Sequence, residues 1–138
     1  NARDAFFDDG AGVVRLLGER LGCPARLHDL ADHDALRAAM ARSDNFVNGT
    51  PIGMEATQAQ SVVPDGSYFH AGLIVSDLIY VPERTTLLQM AEAVGCRAVS
   101  GLGMQLFQAV DAFRLWTGQA MPLDLARQHL LGPAATRS

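Results

Sequence analysis

Length, composition and charge already exclude several classes of protein. The chain has 138 residues, 49% of them apolar, which is enough for one domain with a real core and little more. Its net charge of -4 and isoelectric point of about 5.4 provide no basic surface for a phosphate backbone, so we expect no nucleic-acid partner. No apolar run approaches the span of a membrane helix, and residues 1–4 lack the order of a signal peptide, so we expect no membrane contact and a cytoplasmic location.

The first half of the chain alternates between helical and extended patterns. Apolar residues recur at helical spacing over residues 6–21, and Gly22 is a natural C-cap for that helix. The pattern then predicts a short strand over residues 25–29, a helix over residues 33–41 and a second short strand at residues 46–47.

Residues 72–82 are the stretch around which we interpret the rest of the chain. Their apolar residues occupy both alternation phases, which is typical of a strand covered on both faces, so we predict a central strand of the sheet. Pro82 cannot donate to a ladder, so pairing stops before it and leaves Asp77 and Tyr80 near the carboxyl end, where open α/β sheets bind ligands. The spacing equally allows a plain core strand whose Asp77 accepts hydrogen bonds from backbone N–H groups.

The second half of the chain continues the alternation. Residues 55–71 show no sustained period and predict an irregular crossover. Beyond Pro82 the pattern predicts a helix over residues 85–94, a strand over residues 97–100, a helix over residues 101–117 and a last helix over residues 123–131.

This alternation predicts an α/β fold with a doubly wound, Rossmann-like parallel sheet. Residues 1–4 lead straight into a helix, as the tail of a strand would, and no G-x-G-x-x-G phosphate loop occurs in the sequence. We therefore expect the fold to be incomplete at its N-terminus. A missing N-terminal segment or a homodimer would then complete the sheet.

Two cysteines carry no signature of a metal or redox site. Cys23 and Cys96 are far apart and fit no metal-ligand spacing, so we expect reduced, partly buried thiols rather than a disulfide or a nucleophile. We likewise expect no metal.

Four motifs resemble the cofactor-binding domain of the shikimate dehydrogenase family, and most of all its dual quinate/shikimate dehydrogenases. They are Asn48-Gly-Thr-Pro-Ile-Gly-Met54, Asp77-x-x-Tyr80-x-Pro82-x-x-Thr85-x-Leu87-Leu88, Gly101-x-x-Met104-x-x-x-Gln108 and Phe113-x-x-Trp116-Thr117-Gly118. Each motif alone is weakly specific. Their order, together with Asn1 to Asp4 and the paired phenylalanines that follow, makes the resemblance specific.

The resemblance implies reversible hydride transfer between NAD(P) and the ring hydroxyl of shikimate or quinate, in aromatic amino acid biosynthesis or quinate metabolism. The family's catalytic Lys and Asp belong to an N-terminal substrate domain that has no counterpart in this sequence. We therefore expect residues 1–138 to be the C-terminal part of the NAD(P)-binding domain, with no catalytic residue and no activity alone. The alternative is a non-catalytic nucleotide-binding or regulatory module of the same fold.

The resemblance also places cofactor contacts at the N-terminus. It assigns contacts near the adenosine ribose to Asn1, Ala2, Arg3 and Asp4. Asp4 would accept hydrogen bonds from the ribose hydroxyls, which favours NAD, and Ala2 stands where the family usually has the Arg that holds a 2′-phosphate. Arg3 could partly replace that Arg, so NADP stays open, and Asp4 could instead be a helix N-cap.

Further contacts are implied after the strands of the sheet. The resemblance places the cofactor beside Thr50, Pro51, Leu78, Ile79, Tyr80, Val81 and Gly101, and the substrate beside Tyr80 and Gln108. Without it, we would interpret Tyr80 as a packed aromatic residue and Gln108 as a solvated helix position.

Overall fold

The structure is a computed structural model that describes residues 7–131. The chain divides into two compact units, residues 1–43 and residues 44–138. Each unit is described by itself.

The first unit consists of two helices, α1 (Phe7–Leu21) and α2 (His33–Met40). Gly22 ends α1 as predicted, with a φ of 60° that favours glycine. Asp32 starts α2, because its side chain accepts a hydrogen bond from the backbone N–H of Ala35 at 2.9 Å.

The predicted strand over residues 25–29 is wrong, because the structure has no regular element there. A Cβ added to Gly10 of α1 would lie 3.2 Å from Cδ1 of Leu27, so this side chain packs against α1 at a glycine. The side chain of Leu27 is thus placed by contact with α1. Such a contact needs no strand beside residues 25–29.

The second unit contains a parallel sheet of three strands: β1 (Asn45–Asn48), β2 (Ile74–Asp77) and β3 (Arg97–Val99). The order is β1-β2-β3, and Val75 lies opposite Phe46 on one side and Ala98 on the other. The predicted central position of β2 and the α/β class are therefore confirmed, although the sheet is small.

Three helices complete the second unit: α3 (Thr86–Ala93), α4 (Leu102–Thr117) and α5 (Leu123–Leu131). The crossover from β1 to β2 is irregular, as predicted, and contains only two single 3-10 turns, Glu55–Thr57 and Gly66–Tyr68. Among the helices between residues 7 and 131, none is both long enough and apolar enough to cross a membrane.

The core of the second unit surrounds β2. Leu73 and Val75 are fully buried, and α3 contacts β2. The other buried apolar side chains of this core lie on α3 and in the irregular crossover, and include Leu87, Leu88, Ala91, Val63, Tyr68 and Phe69. Complete burial of one large apolar side chain stabilises the fold by ~1.5–3 kcal/mol. The crossover has no long helix, yet it contributes three buried apolar side chains, those of Val63, Tyr68 and Phe69.

Both cysteines are free thiols, and one of them differs from the expected burial. Cys23 is exposed, because it follows the end of α1, whereas Cys96 is buried before β3. The Cys96 thiol donates to the carbonyl oxygen of His70 at 3.2 Å, and burial raises the pKa of this thiol.

Candidate functional site

The carboxyl ends of the three parallel strands meet at one edge of the sheet. We define this carboxyl edge by the segments that leave the strands: residues 48–53 after β1, residues 77–81 after β2 and residues 99–101 after β3. The structure thereby brings together seven of the predicted cofactor residues: Thr50, Pro51, Leu78, Ile79, Tyr80, Val81 and Gly101. Asn1, Ala2, Arg3 and Asp4 lie outside the described residues.

The segment after β1 is organised by the buried side chain of Asn48. Its Oδ1 accepts hydrogen bonds from the backbone N of Thr50 at 3.0 Å and from the Thr50 hydroxyl at 2.8 Å. Its Nδ2 donates to the backbone oxygen of Ile52 at 3.2 Å. A side chain that bonds to its own backbone two residues further on forms a local turn, so Asn48 fixes the path of the chain past Pro51.

Gly53 closes this turn in a conformation that other residues rarely adopt. Its φ is 107°, and an added Cβ would lie 3.3 Å from Cδ1 of Ile79. Its backbone N donates to the Thr57 hydroxyl at 3.0 Å. The segment after β1 is therefore folded closely against the segment after β2.

Asp77 ends β2 and is almost completely buried. Its Oδ1 accepts from Nδ2 of Asn48 and from the backbone N of Ile79, both at 3.1 Å, and its Oδ2 accepts from the Thr85 hydroxyl at 2.8 Å. The sequence left open whether Asp77 meets a ligand or is satisfied within the fold. The structure shows a satisfied carboxylate, held by two side chains and one backbone N–H.

Sequence reasoning missed two of these residues as parts of the site, Asn48 and Thr85. Both belong to the motifs that carry the resemblance, yet neither was assigned a role. A signal was present, because an Asn at a strand end before Gly-Thr-Pro favours a side-chain turn and a Thr before a helix favours an N-cap. The Thr85 hydroxyl does cap α3, since it accepts from the backbone N of Leu88 at 3.3 Å.

Gly101 lies where β3 leads into α4, and only a glycine fits there. Its backbone N donates to the oxygen of Ile79 at 3.1 Å, and an added Cβ would lie 2.2 Å from the oxygen of Leu78. A side chain at Gly101 would therefore collide with this chain's own backbone. The close contact ties the start of α4 to the segment after β2.

The segment after β2 exposes apolar surface beside the buried polar residues. Ile79 is buried, whereas Leu78 and Tyr80 are each 42% exposed and Val81 is 63% exposed. Tyr80 and Val81 line an open hollow of about 200 Å³ with Met54 and Glu55. Tyr80 is thus not a packed core aromatic, and it lines an open hollow at the carboxyl edge.

Gln108 is exposed on α4 and lines a different hollow from Tyr80. Its groove, of about 550 Å³, is otherwise mainly apolar and is lined by Ala109, Ala112, Phe113, Trp116 and Met121. Gln108 lies seven positions after Gly101, which corresponds to ~10 Å along a helix. The joint contact of Tyr80 and Gln108 with one substrate therefore stays a prediction.

The carboxyl edge can hold a ligand through backbone groups, apolar side chains and one phenol. Both oxygens of the buried Asp77 carboxylate already accept hydrogen bonds from within the fold. Across residues 7–131, no group of three or more His, Cys, Asp or Glu side chains is arranged to hold a metal ion. These features suit an elongated organic ligand that lies across several segments.

Comparison with known proteins shows what this chain is similar to. A family model for the shikimate 5'-dehydrogenase C-terminal domain matches residues 101–131. A quinate/shikimate dehydrogenase of Escherichia coli is 40% identical over 128 residues, which are 93% of this chain and 44% of that protein. The chain thus spans less than half the length of this relative.

Solved structures of similar proteins have the same fold. A shikimate 5-dehydrogenase from Listeria monocytogenes, in complex with shikimate and NAD, is 37% identical with a TM-score of 0.86, over 93% of this chain and 44% of that one. A shikimate 5-dehydrogenase from Thermus thermophilus, in complex with NADP(H) and shikimate, is 29% identical with a TM-score of 0.65, over 85% of this chain and 41% of that one.

The contact at Gly101 predicts opposite effects for two glycine substitutions at the start of α4. Gly101→Ala forces a Cβ into the Leu78 carbonyl, and overpacking of this kind costs ~1–3 kcal/mol of unfolding free energy. Gly103→Ala is the control, because an added Cβ meets nothing within 4 Å and alanine favours a helix by up to ~1 kcal/mol. Urea unfolding measures both; equal stability of the two variants would contradict the close contact.

Proposed function

We propose that this chain, which has the sequence and fold of the C-terminal part of the shikimate dehydrogenase family, binds NAD(P) at the carboxyl edge of its sheet. The observation that carries the proposal is the convergence of three segments there: the Asn48 turn, the exposed residues after Asp77 and the bare backbone of Gly101. In open α/β sheets this edge is the usual binding place for dinucleotides.

The reaction that we propose is hydride transfer between NAD(P) and shikimate or quinate. Support comes from the names of the relatives, which are shikimate or quinate/shikimate dehydrogenases, two of them described in complex with shikimate and a nicotinamide cofactor. Tyr80 and Gln108 are the residues that we assign to the substrate. Tyr80 presents a half-exposed ring at the carboxyl edge, and Gln108 presents a carboxamide in an otherwise mainly apolar groove.

Proton transfer is assigned to residues outside this sequence. The resemblance requires a catalytic Lys, and all eleven basic residues other than histidine in the 138-residue sequence are arginines. Arginine stays protonated at all relevant pH values and is a poor substitute for a lysine that exchanges a proton. We therefore propose that residues 1–138 are the C-terminal part of an NAD(P)-binding domain and supply cofactor and substrate contacts without the acid–base pair.

We propose NAD as the preferred cofactor. Asp4 is assigned to the ribose hydroxyls, and its carboxylate would repel the 2′-phosphate of NADP. Ala2 offers no charge to hold that phosphate. The relatives include proteins described with NAD and with NADP(H), so the preference depends on these residues of the chain itself.

We propose, finally, that a further strand of the encoded polypeptide pairs with the outer side of β1. In the described sheet β1 is an edge strand, and the carbonyls of residue 44, just before it, and residue 48, its last, accept hydrogen bonds from the N–H groups of residues 74 and 78. Because alternate residues of a strand direct their backbone groups to opposite sides, the N–H of Val47 faces away from β2. The Val47 side chain is 55% exposed, which leaves an uncovered apolar edge.

The activity assay separates the dehydrogenase from its rival, a non-catalytic module of the same fold. We expect the polypeptide encoded by the gene to reduce NAD or NADP with shikimate or quinate, and we expect residues 1–138 alone to show no turnover. Absorbance at 340 nm, the signature of the reduced nicotinamide, measures both. Turnover by residues 1–138 would contradict the assignment of proton transfer; cofactor binding without turnover by the encoded polypeptide would favour the rival.

The cofactor preference predicts the outcome of Ala2→Arg. A guanidinium beside the adenosine ribose can form a charge-assisted hydrogen bond with a 2′-phosphate, and such a bond contributes ~1.5–3 kcal/mol. We expect the ratio of the NADP to the NAD dissociation constant to fall about tenfold or more, since ~1.4 kcal/mol corresponds to tenfold. Ala5→Arg is the matched control for added charge. An unchanged ratio in Ala2→Arg would refute the placement of residues 1–4.

The pairing of β1 predicts different effects of proline at two neighbouring positions. Phe46→Pro removes an N–H that faces β2 and with it a ladder hydrogen bond, so we expect it to lower the unfolding free energy strongly in any form of the protein. Val47→Pro destabilises the protein as strongly as Phe46→Pro only where a further strand accepts a hydrogen bond from the Val47 N–H. At a free edge, proline is tolerated. We expect Val47→Pro to cause a large loss of unfolding free energy in the encoded polypeptide and a small loss in residues 1–138. Tolerance in both forms, measured by urea unfolding, would show that β1 stays an edge.

A further inference from the structure

We infer that Asn48, Asp77 and Thr85 form a positioning unit that holds both loops of the carboxyl edge in the geometry required for the cofactor. The inference rests on the proposed function for the identity of the ligand. It assigns a role to three side chains that contact no ligand themselves. They act through the backbone atoms that they hold.

The three residues come from distant parts of the chain and meet below the surface. Asn48 ends β1, Asp77 ends β2 and Thr85 precedes α3, and their exposed fractions are 2%, 1% and 1%. The bonds between them run from Nδ2 of Asn48 to Oδ1 of Asp77 and from Oγ1 of Thr85 to Oδ2 of Asp77. The carboxylate is therefore the centre of the unit.

Every polar side-chain atom of the unit has a hydrogen-bond partner. Asn48 also bonds to Thr50 and Ile52, and Asp77 also accepts from the backbone N of Ile79. In the described part of the chain no buried side-chain nitrogen or oxygen atom lacks a hydrogen-bond partner. A buried carboxylate is tolerated only while its donors stay in place, so movement of one loop is transmitted to the other.

The held backbone atoms lie in the two segments that the proposed function places against the cofactor. The unit bonds to the N of Thr50, the oxygen of Ile52 and the N of Ile79. These atoms flank Pro51 and the exposed pair Leu78 and Tyr80. Apolar residues could fill the same space, but they could not fix backbone atoms in two loops at once. Small displacements of positioning groups have large effects on reaction rates.

The test compares Thr85→Val with Thr85→Ser in the encoded polypeptide. Valine keeps the shape of threonine but removes the donor from Oδ2 of Asp77, whereas serine keeps the hydroxyl. We expect Thr85→Val to raise the KM and dissociation constant of the cofactor about tenfold or more, with a smaller change in kcat. We expect the KM and dissociation constant of the cofactor in Thr85→Ser to stay within about threefold of those of the unaltered protein. This is the rescue that a hydroxyl-dependent role requires.

Thr85 also caps α3, so loss of a helix cap needs its own control. Asp32→Ala removes the side-chain cap of α2, which accepts from the N of Ala35, and has no hydrogen bond to the positioning unit. Urea unfolding verifies that the control and Thr85→Val lose comparable stability. We expect the cofactor affinity of Asp32→Ala to be unchanged. Equal weakening of cofactor binding in both variants would reduce the role of Thr85 to stability.

A second measurement does not depend on the cofactor. Amide hydrogen exchange reports the protection of the Thr50 and Ile79 N–H groups, which donate hydrogen bonds to the side chains of Asn48 and Asp77. We expect exchange at both amides to accelerate at least tenfold in Thr85→Val and to stay unchanged in Thr85→Ser and Asp32→Ala. Unchanged exchange at Ile79 in Thr85→Val overturns the positioning unit. If the unaltered protein binds neither NAD nor NADP, the proposed function fails, while the exchange experiment still decides whether the unit holds the loops.

Discussion

A buried carboxylate at the end of the central strand is the constraint on which the carboxyl edge depends. Asp77 is removed from water, and a charge in that position is tolerated only with hydrogen bonds from fixed donors. The donors are the amide of Asn48, the hydroxyl of Thr85 and the backbone N–H of Ile79. Each donor in turn determines how its own segment leaves the sheet or enters a helix. Local turn chemistry, helix capping and the position of the site therefore share one cause.

Close backbone packing completes the edge that this polar unit begins. Gly101 lets α4 start against the Leu78 carbonyl, and Gly53 brings the turn after β1 against Ile79. The result is a surface made of backbone and exposed apolar side chains, with the ring of Tyr80 at one place on it. Such a surface suits the binding of an extended cofactor better than acid–base chemistry. It is the surface expected under the proposed function, in which the chain would hold NAD(P) and residues outside the sequence would transfer the proton.

The sequence predicted the elements whose signals are local and strong. The two-sided apolar pattern of residues 73–79 predicted a buried central strand, and Gly22 and Gly118 ended helices where expected, both at positive φ. The strand over residues 25–29 was wrong, because the side chain of Leu27 packs against α1 and a short apolar run does not reveal its partner. The roles of Asn48 and Thr85 were missed, because they depend on contacts with Asp77 across 29 and 8 residues. Whether Tyr80 and Gln108 serve one substrate could be read neither from spacing nor from the two separate hollows that they line.

The central claim is that the cofactor lies across the carboxyl edge and contacts both loops together. Hydrogen exchange of the encoded polypeptide, followed by mass spectrometry with and without saturating NAD, tests it most directly. The account predicts slower exchange in peptides that cover residues 48–54, 77–82 and 100–104 when NAD is bound, with no change in α5, which is remote from these segments in the chain. Protection confined to other segments, or equal exchange at the carboxyl edge with and without NAD, would contradict it.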